Sequence, residues 1–165
     1  DWPYAFLVRA FTERDELDKA LEYAARAVEA WPENREFRQL HAETLIFRGQ
    51  TKPGLGAYAR LYPNDAELRK ESELLMDQLK VQPGDGRTLL LLGVLFQLRG
   101  HPDMASMYFT KAHDNGQRRA MAWRARAASQ IPDAAGAAKA ANAYLSEFPS
   151  DFATDEMRAL LKELQ

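Results

Sequence analysis

Histidine is the side chain that takes up acid–base or metal chemistry most readily near neutral pH, and this sequence holds three: His41, His101 and His113. Their spacing matches no metal-ligand pattern, either with one another or with a carboxylate motif such as HExxH. His101 falls in a turn, and His113 lies near a helix end, where a cation complements the helix dipole. Pro83-Gly84-Asp85-Gly86 has the glycines of a phosphate loop, but no Gly-Lys-Ser/Thr follows, and the segment reads as a turn. There is no nucleophile elbow and no calcium loop of alternating acids. The lack of cysteine removes thiol catalysis, disulfides and zinc knuckles together. The acids are spread along helix faces, as on a solvated surface. The expectation is a chain without catalytic residues, metal or cofactor.

Composition narrows the classes further. The chain has 165 residues, of which 46% are hydrophobic and 28% charged. Those are the proportions of an ordinary soluble protein, one domain or one repeat array with room for a core. The formal net charge of −2 gives no overall electrostatic case for nucleic acid or an anionic membrane. The longest apolar run, Leu89 to Leu98, falls far short of the ~18 to 20 residues of a membrane span and suits a buried helix. A cysteine-free chain is tolerated in reducing and oxidising compartments alike, so bacterial periplasm and cytoplasm both remain open. Asp1 opens the chain with no methionine and no signal-like segment, which leads us to expect a processed form or an excised piece.

The elements that would carry any site are helices. Apolar residues recur at i, i+3, i+4 and i+7, as in Leu17, Ala20, Leu21, Ala24 and Val28, and again in Met157, Leu160, Leu161 and Leu164. No stretch alternates like a strand. The breaks between helices repeat as well. Trp31-Pro32-Glu33-Asn34, Tyr62-Pro63-Asn64-Asp65 and Phe148-Pro149-Ser150-Asp151 share one device, and Gln82-Pro83-Gly84-Asp85 is a weaker copy. The aromatic packs back on the helices it closes, proline ends the helix, and Asn or Asp caps the next one. The pattern predicts helices near 2–14, 16–30, 35–48, 53–61, 66–80, 87–99, 102–115, 118–130, 134–147 and 152–164. Recurrence of a whole stop–start device points to stacked hairpins.

These residues resemble tetratricopeptide repeats, whose period is ~34 residues. In 86–117, Leu89, Leu92, Gly93 and Phe96 occupy the bulky, bulky, small and aromatic places of the first helix. Gly100 falls at the turn, and Ala105, Phe109 and Ala112 take the second helix's places. Segment 1–34 fits through Tyr4, Leu7, Phe11, Ala20, Ala24, Ala27 and Pro32, and 118–149 through Met121, Ala125, Ala137, Ala141 and Pro149. The resemblance implies an all-α, right-handed superhelical solenoid of antiparallel hairpins in a single array over 1–165, ending in a helix at 150–165. Residues 35–85 break the pattern, since they amount to about one and a half periods. An odd helix there would exchange inner and outer layers unless the chain turns irregularly, and Thr51-Lys52-Pro53-Gly54-Leu55-Gly56 offers a breaker-rich place. A kink near 50–65 is expected.

The resemblance also implies that first helices line a concave surface. Inward residues would be Trp2, Ala5 and Arg9, then Arg35, Arg38 and Ala42, then Arg87, Leu90 and Val94, then Arg119, Ala122 and Arg126. Arginines dominate these places and acids are missing from them, which suits an acidic peptide, because guanidinium forks grip carboxylates bidentately. Leu90 and Val94 would add an apolar floor. The alternative is that the arginines are solvated or paired with neighbouring acids. Ala5 and Arg9 stand where chaperone-binding members of the family place a lysine and asparagine constellation, which argues against a heat-shock co-chaperone.

The leading reading is therefore a protein-interaction scaffold, a module of a larger bacterial assembly of the secretion, pilus or polysaccharide-export type. The alanine- and arginine-rich, lysine-poor stretch 118–149 is what high-GC bacterial genes often encode. RNA binding in the manner of pentatricopeptide hairpins is a second reading, opposed by the net charge and the proline closures. Self-assembly through the apolar stripe of 152–164 is a third.

Overall fold

A computed structural model describes the backbone from Trp2 and the side chains from Pro3 to Gln165. Trp2, one of the expected inward residues, thus has its side chain outside the described part. Ten α-helices and no strand occur among the described residues: α1 (Trp2–Glu13), α2 (Leu17–Ala30), α3 (Arg35–Phe47), α4 (Thr51–Leu61), α5 (Asp65–Val81), α6 (Gly86–Leu98), α7 (Pro102–Asp114), α8 (Ala120–Ala128), α9 (Ala134–Glu147) and α10 (Thr154–Glu163).

The stop–start device works largely as its chemistry dictates. Asn34 Oδ1 accepts from the N–H groups of Glu36 and Phe37 at 3.0 and 3.3 Å. Asn64 accepts from Glu67 N–H, and Asp85 from Arg87 N–H, each satisfying a donor that has no partner inside its helix. The closing aromatics pack backwards: Trp31 lies edge-on to Tyr4 at 5.5 Å, and Tyr62 and Phe148 each lie 5.1 Å from Tyr58 and Tyr144 respectively. The copy at Phe148–Asp151 departs from the device. Ala153 is the N-cap of α10, while the Asp151 carboxylate is taken up by residues of the preceding hairpin.

Thr51–Gly56 is not the irregular place that its glycines and proline suggest. It forms the start of α4, two residues earlier than expected. Pro53 is tolerated because first-turn N–H groups lack helical acceptors anyway. Gly54 is buried, and a Cβ there would come within 3.0 Å of the Ile46 side chain. Its small size lets α3 and α4 approach; it does not break a helix. The turn lies just before, at Gly49, whose φ of 79° favours glycine.

The chain divides into two compact units at Pro63 and Asn64. In the first, α1 to α4 pack in sequence, and α1 also touches α3. Its core joins Val8, Ala20 and Ala24 to Phe11, Tyr23 and Leu40, and Ala5, Ala27 and Phe37 to Trp31. In the second, α5 to α10 pack in sequence, with further contacts of α6 to α8 and α8 to α10. These place α6, α8 and α10 in one layer and α5, α7 and α9 in the other. The irregular middle thus consists of a complete hairpin, α3–α4, that ends the first unit, and a lone 17-residue α5 that opens the second.

The second unit owes its packing to contrast in residue size. A Cβ on Gly93 would collide with the Phe109 ring, so glycine is what admits that ring between α6 and α7. Trp123 of α8 is wholly buried 5.8 Å from Phe109. Further along, Ala122 and Ala125 meet Ala140, Ala141 and Tyr144, with Met121 and Met157 filling the remainder.

Candidate functional site

The arginines singled out in the sequence fall into two physical situations. In the first unit Arg9 Nη2 donates to Glu36 Oε1 at 2.6 Å, joining α1 to α3, yet the side chains stay 59% and 51% exposed. Arg35 is exposed, with its guanidinium 5.6 Å from the centre of the Tyr62 ring. Arg38, also exposed, borders a pocket of about 140 Å³ together with Val28, His41, Ala57, Arg60 and Leu61.

In the second unit the corresponding arginines are built in. Arg119 Nε donates to Asp151 Oδ2 at 2.8 Å, and its guanidinium lies 4.6 Å from the centre of the Phe148 ring. The two side chains are only 24% and 8% exposed. Tyr144 donates to the same carboxylate oxygen at 3.1 Å. Burial, reinforced by the Asp151 charge, pushes the Tyr144 phenol far above its ordinary range. Arg126 Nη1 donates to Glu156 Oε1 at 2.7 Å, at 24% and 20% exposure. Arg87 is half-buried in the first turn of α6.

Leu90 and Val94, expected as an apolar floor, are fully buried in the core of the second unit. Helix α6 is covered by α5, α7 and α8, so it has no apolar face left to offer. Ala5, Ala42 and Ala122 are buried as well.

Two features escape the sequence reading. The first is the set of acids that hold Arg9, Arg119 and Arg126, because each stands on or beside the next first-type helix of its own unit. The second is Arg60. Helix α4 contains no acid, and that signal is readable in the sequence. Among the described residues, neither Arg38 nor Arg60 has an acidic partner within ion-pair distance. His41 is half-buried beside them, and burial, helped by the Arg60 charge, lowers its pKa from the ordinary histidine value. A pocket with two guanidinium groups, one imidazole and three apolar walls is chemically suited to an anion with a short apolar stem.

No family model matches the chain, and no curated protein matches it by sequence. Among solved structures, a thermophilic TPR protein from Thermus thermophilus is similar over 97% of this chain and 98% of that one. The TM-score is 0.61 and the identity 18%. The fold is a tetratricopeptide-like helical repeat. At this identity the likeness establishes the repeat architecture, while the side chains on its surface are this chain's own.

Proposed function

We propose that the chain is a non-enzymatic protein-interaction scaffold whose first unit recruits an acidic peptide segment through Arg9, Arg35 and Arg38. The observation that supports this is the difference in exposure between its ion pairs. A solvated pair such as Arg9–Glu36 is worth about 0–1 kcal/mol, so a partner's carboxylate can replace Glu36 at little cost. Separating a covered pair such as Arg119–Asp151 leaves a desolvated charge and costs about 3 kcal/mol or more. The arginines of the second unit are therefore assigned to holding hairpins together, and those of the first to binding. The scaffold would serve as a module of a larger bacterial assembly, of the secretion, pilus or polysaccharide-export type.

Selection from a random peptide library tests the reading. Wild-type protein should enrich segments rich in Asp and Glu, and Arg9→Glu/Arg38→Glu should lose that enrichment while keeping its helical circular dichroism. Enrichment of sequences without acids, or a selection profile unchanged by charge reversal, would overturn it.

A further inference from the structure

The pocket in the first unit occupies an unusual place in the repeat. Tyr4 and Leu7 of α1 and Leu89 and Leu92 of α6 occupy the two bulky places of a first helix. One period after Tyr4 and Leu7, α3 carries Arg38 and His41 instead. Two places that take large apolar side chains in α1 and α6 thus both carry cationic or ionisable groups in α3, whereas α8 keeps Met121 at the first and has Arg124 at the second. Arg60 from α4 joins Arg38 and His41 as a third such group, and Val28, Ala57 and Leu61 complete the walls.

We infer that this pocket is a binding site for a single carboxylate side chain, an aspartate or glutamate presented by a bound peptide. Three observations converge on that ligand. Arg38 and Arg60 border one small space with no acid among its lining residues, and among the described residues neither has its fork engaged by a carboxylate. The volume of about 140 Å³ admits a side chain, not a folded partner. The apolar walls suit the methylene stem of an acid, whereas a free inorganic anion would bring nothing to them. His41, half-buried in the lining of the same pocket, can donate a ring N–H to the bound oxygen. The inference rests on the interaction reading above only for the source of the carboxylate.

Titration of the full chain, followed by amide and imidazole NMR signals, tests the pocket with small probes. The probes are N-acetyl-glutamate N-methylamide, its glutamine counterpart and inorganic phosphate. The glutamate probe should give saturable shifts at His41, Arg38 and Arg60, and should bind about tenfold more tightly than the glutamine probe. Arg60→Gln should weaken it by a similar factor, and Arg60→Lys, which keeps the charge without the fork, by less. Lys139→Glu, an exposed charge reversal on α9, should leave it unchanged, because Lys139 is not among the residues that line the pocket; this outcome stands even where the peptide selection fails. Equal binding of the glutamine probe, no saturation, or no loss in Arg60→Gln would overturn the inference. Phosphate that binds as tightly as the glutamate probe would also overturn it, by showing a site for oxyanions in general.

Discussion

The pair Arg9–Glu36 and the pair Arg119–Asp151 are the same device in two settings. In each, an arginine of a first-type helix reaches an acid of the next such region, about one hairpin further along the chain. In the first unit the pair stands in solvent. In the second, Phe148 lies against the guanidinium and Tyr144 shares the carboxylate. Spacing along the sequence is therefore a poor guide to what an arginine does in a repeat. Exposure decides whether it fastens the stack or remains available to a partner.

Removing the acid should show the contrast most strongly. Asp151→Ala leaves Arg119 and Tyr144 without their common acceptor in a largely dry place, and should cost about 3 kcal/mol in urea unfolding followed by circular dichroism. A loss below about 1 kcal/mol would place this pair in the same class as Arg9–Glu36. A double-mutant cycle on Arg9→Ala and Glu36→Ala should return a coupling energy of about 0.5 kcal/mol, falling further at high salt. A larger, salt-resistant coupling would make this pair a fastening like the other, and would remove the basis for assigning it to binding.

The smallest effect concerns His41 and is one of slope. Its folded pKa lies below the ordinary value of 6.5, because burial and then Arg60 disfavour the imidazolium. The unfolded chain therefore binds more protons than the folded one as the pH falls past that value. Stability is greatest above the ordinary histidine range and is lost as the medium becomes more acidic. Thermal melts of the wild type between pH 7.5 and 5.5 should show a steeper acid loss than those of His41→Gln. Equal slopes would mean that His41 titrates as in the unfolded chain.

All ten helices are legible in the sequence, because a 3.6-residue period and a repeated stop–start device are local signals. So are the caps at Asn34 and Asn64 and the aromatic closures. Thr51–Gly56 misleads because glycine and proline look like breakers when only their neighbours are considered. Proline in a first turn is harmless, and the requirement for Gly54 comes from Ile46 on another helix. Leu90 and Val94 lie in the core rather than on a groove floor, and the warning stands in α6 itself. Its apolar residues run round the whole helix, and such a helix is buried rather than half-exposed. The pocket is hidden for the opposite reason. His41 and the acid-free α4 with its Arg60 can be seen in the sequence, but only the packing of α2, α3 and α4 brings Val28, Arg38, His41 and Arg60 to one opening.

The contact of Ala122 and Ala125 with Ala140 and Ala141 constrains how this chain can vary over time. A core of leucines can drift in either direction, since truncation and reshaping are both open to it. An alanine seam has glycine as its one smaller alternative, and glycine weakens a helix. Every other substitution enlarges the residue and wedges apart two backbones that the small side chains let approach. Drift at the α8–α9 seam should therefore be slow and come in matched pairs, an outward step on one helix compensated on the other. The exposed arginines of α1 and α3 lie outside that seam, and their replacement leaves its alanine packing untouched.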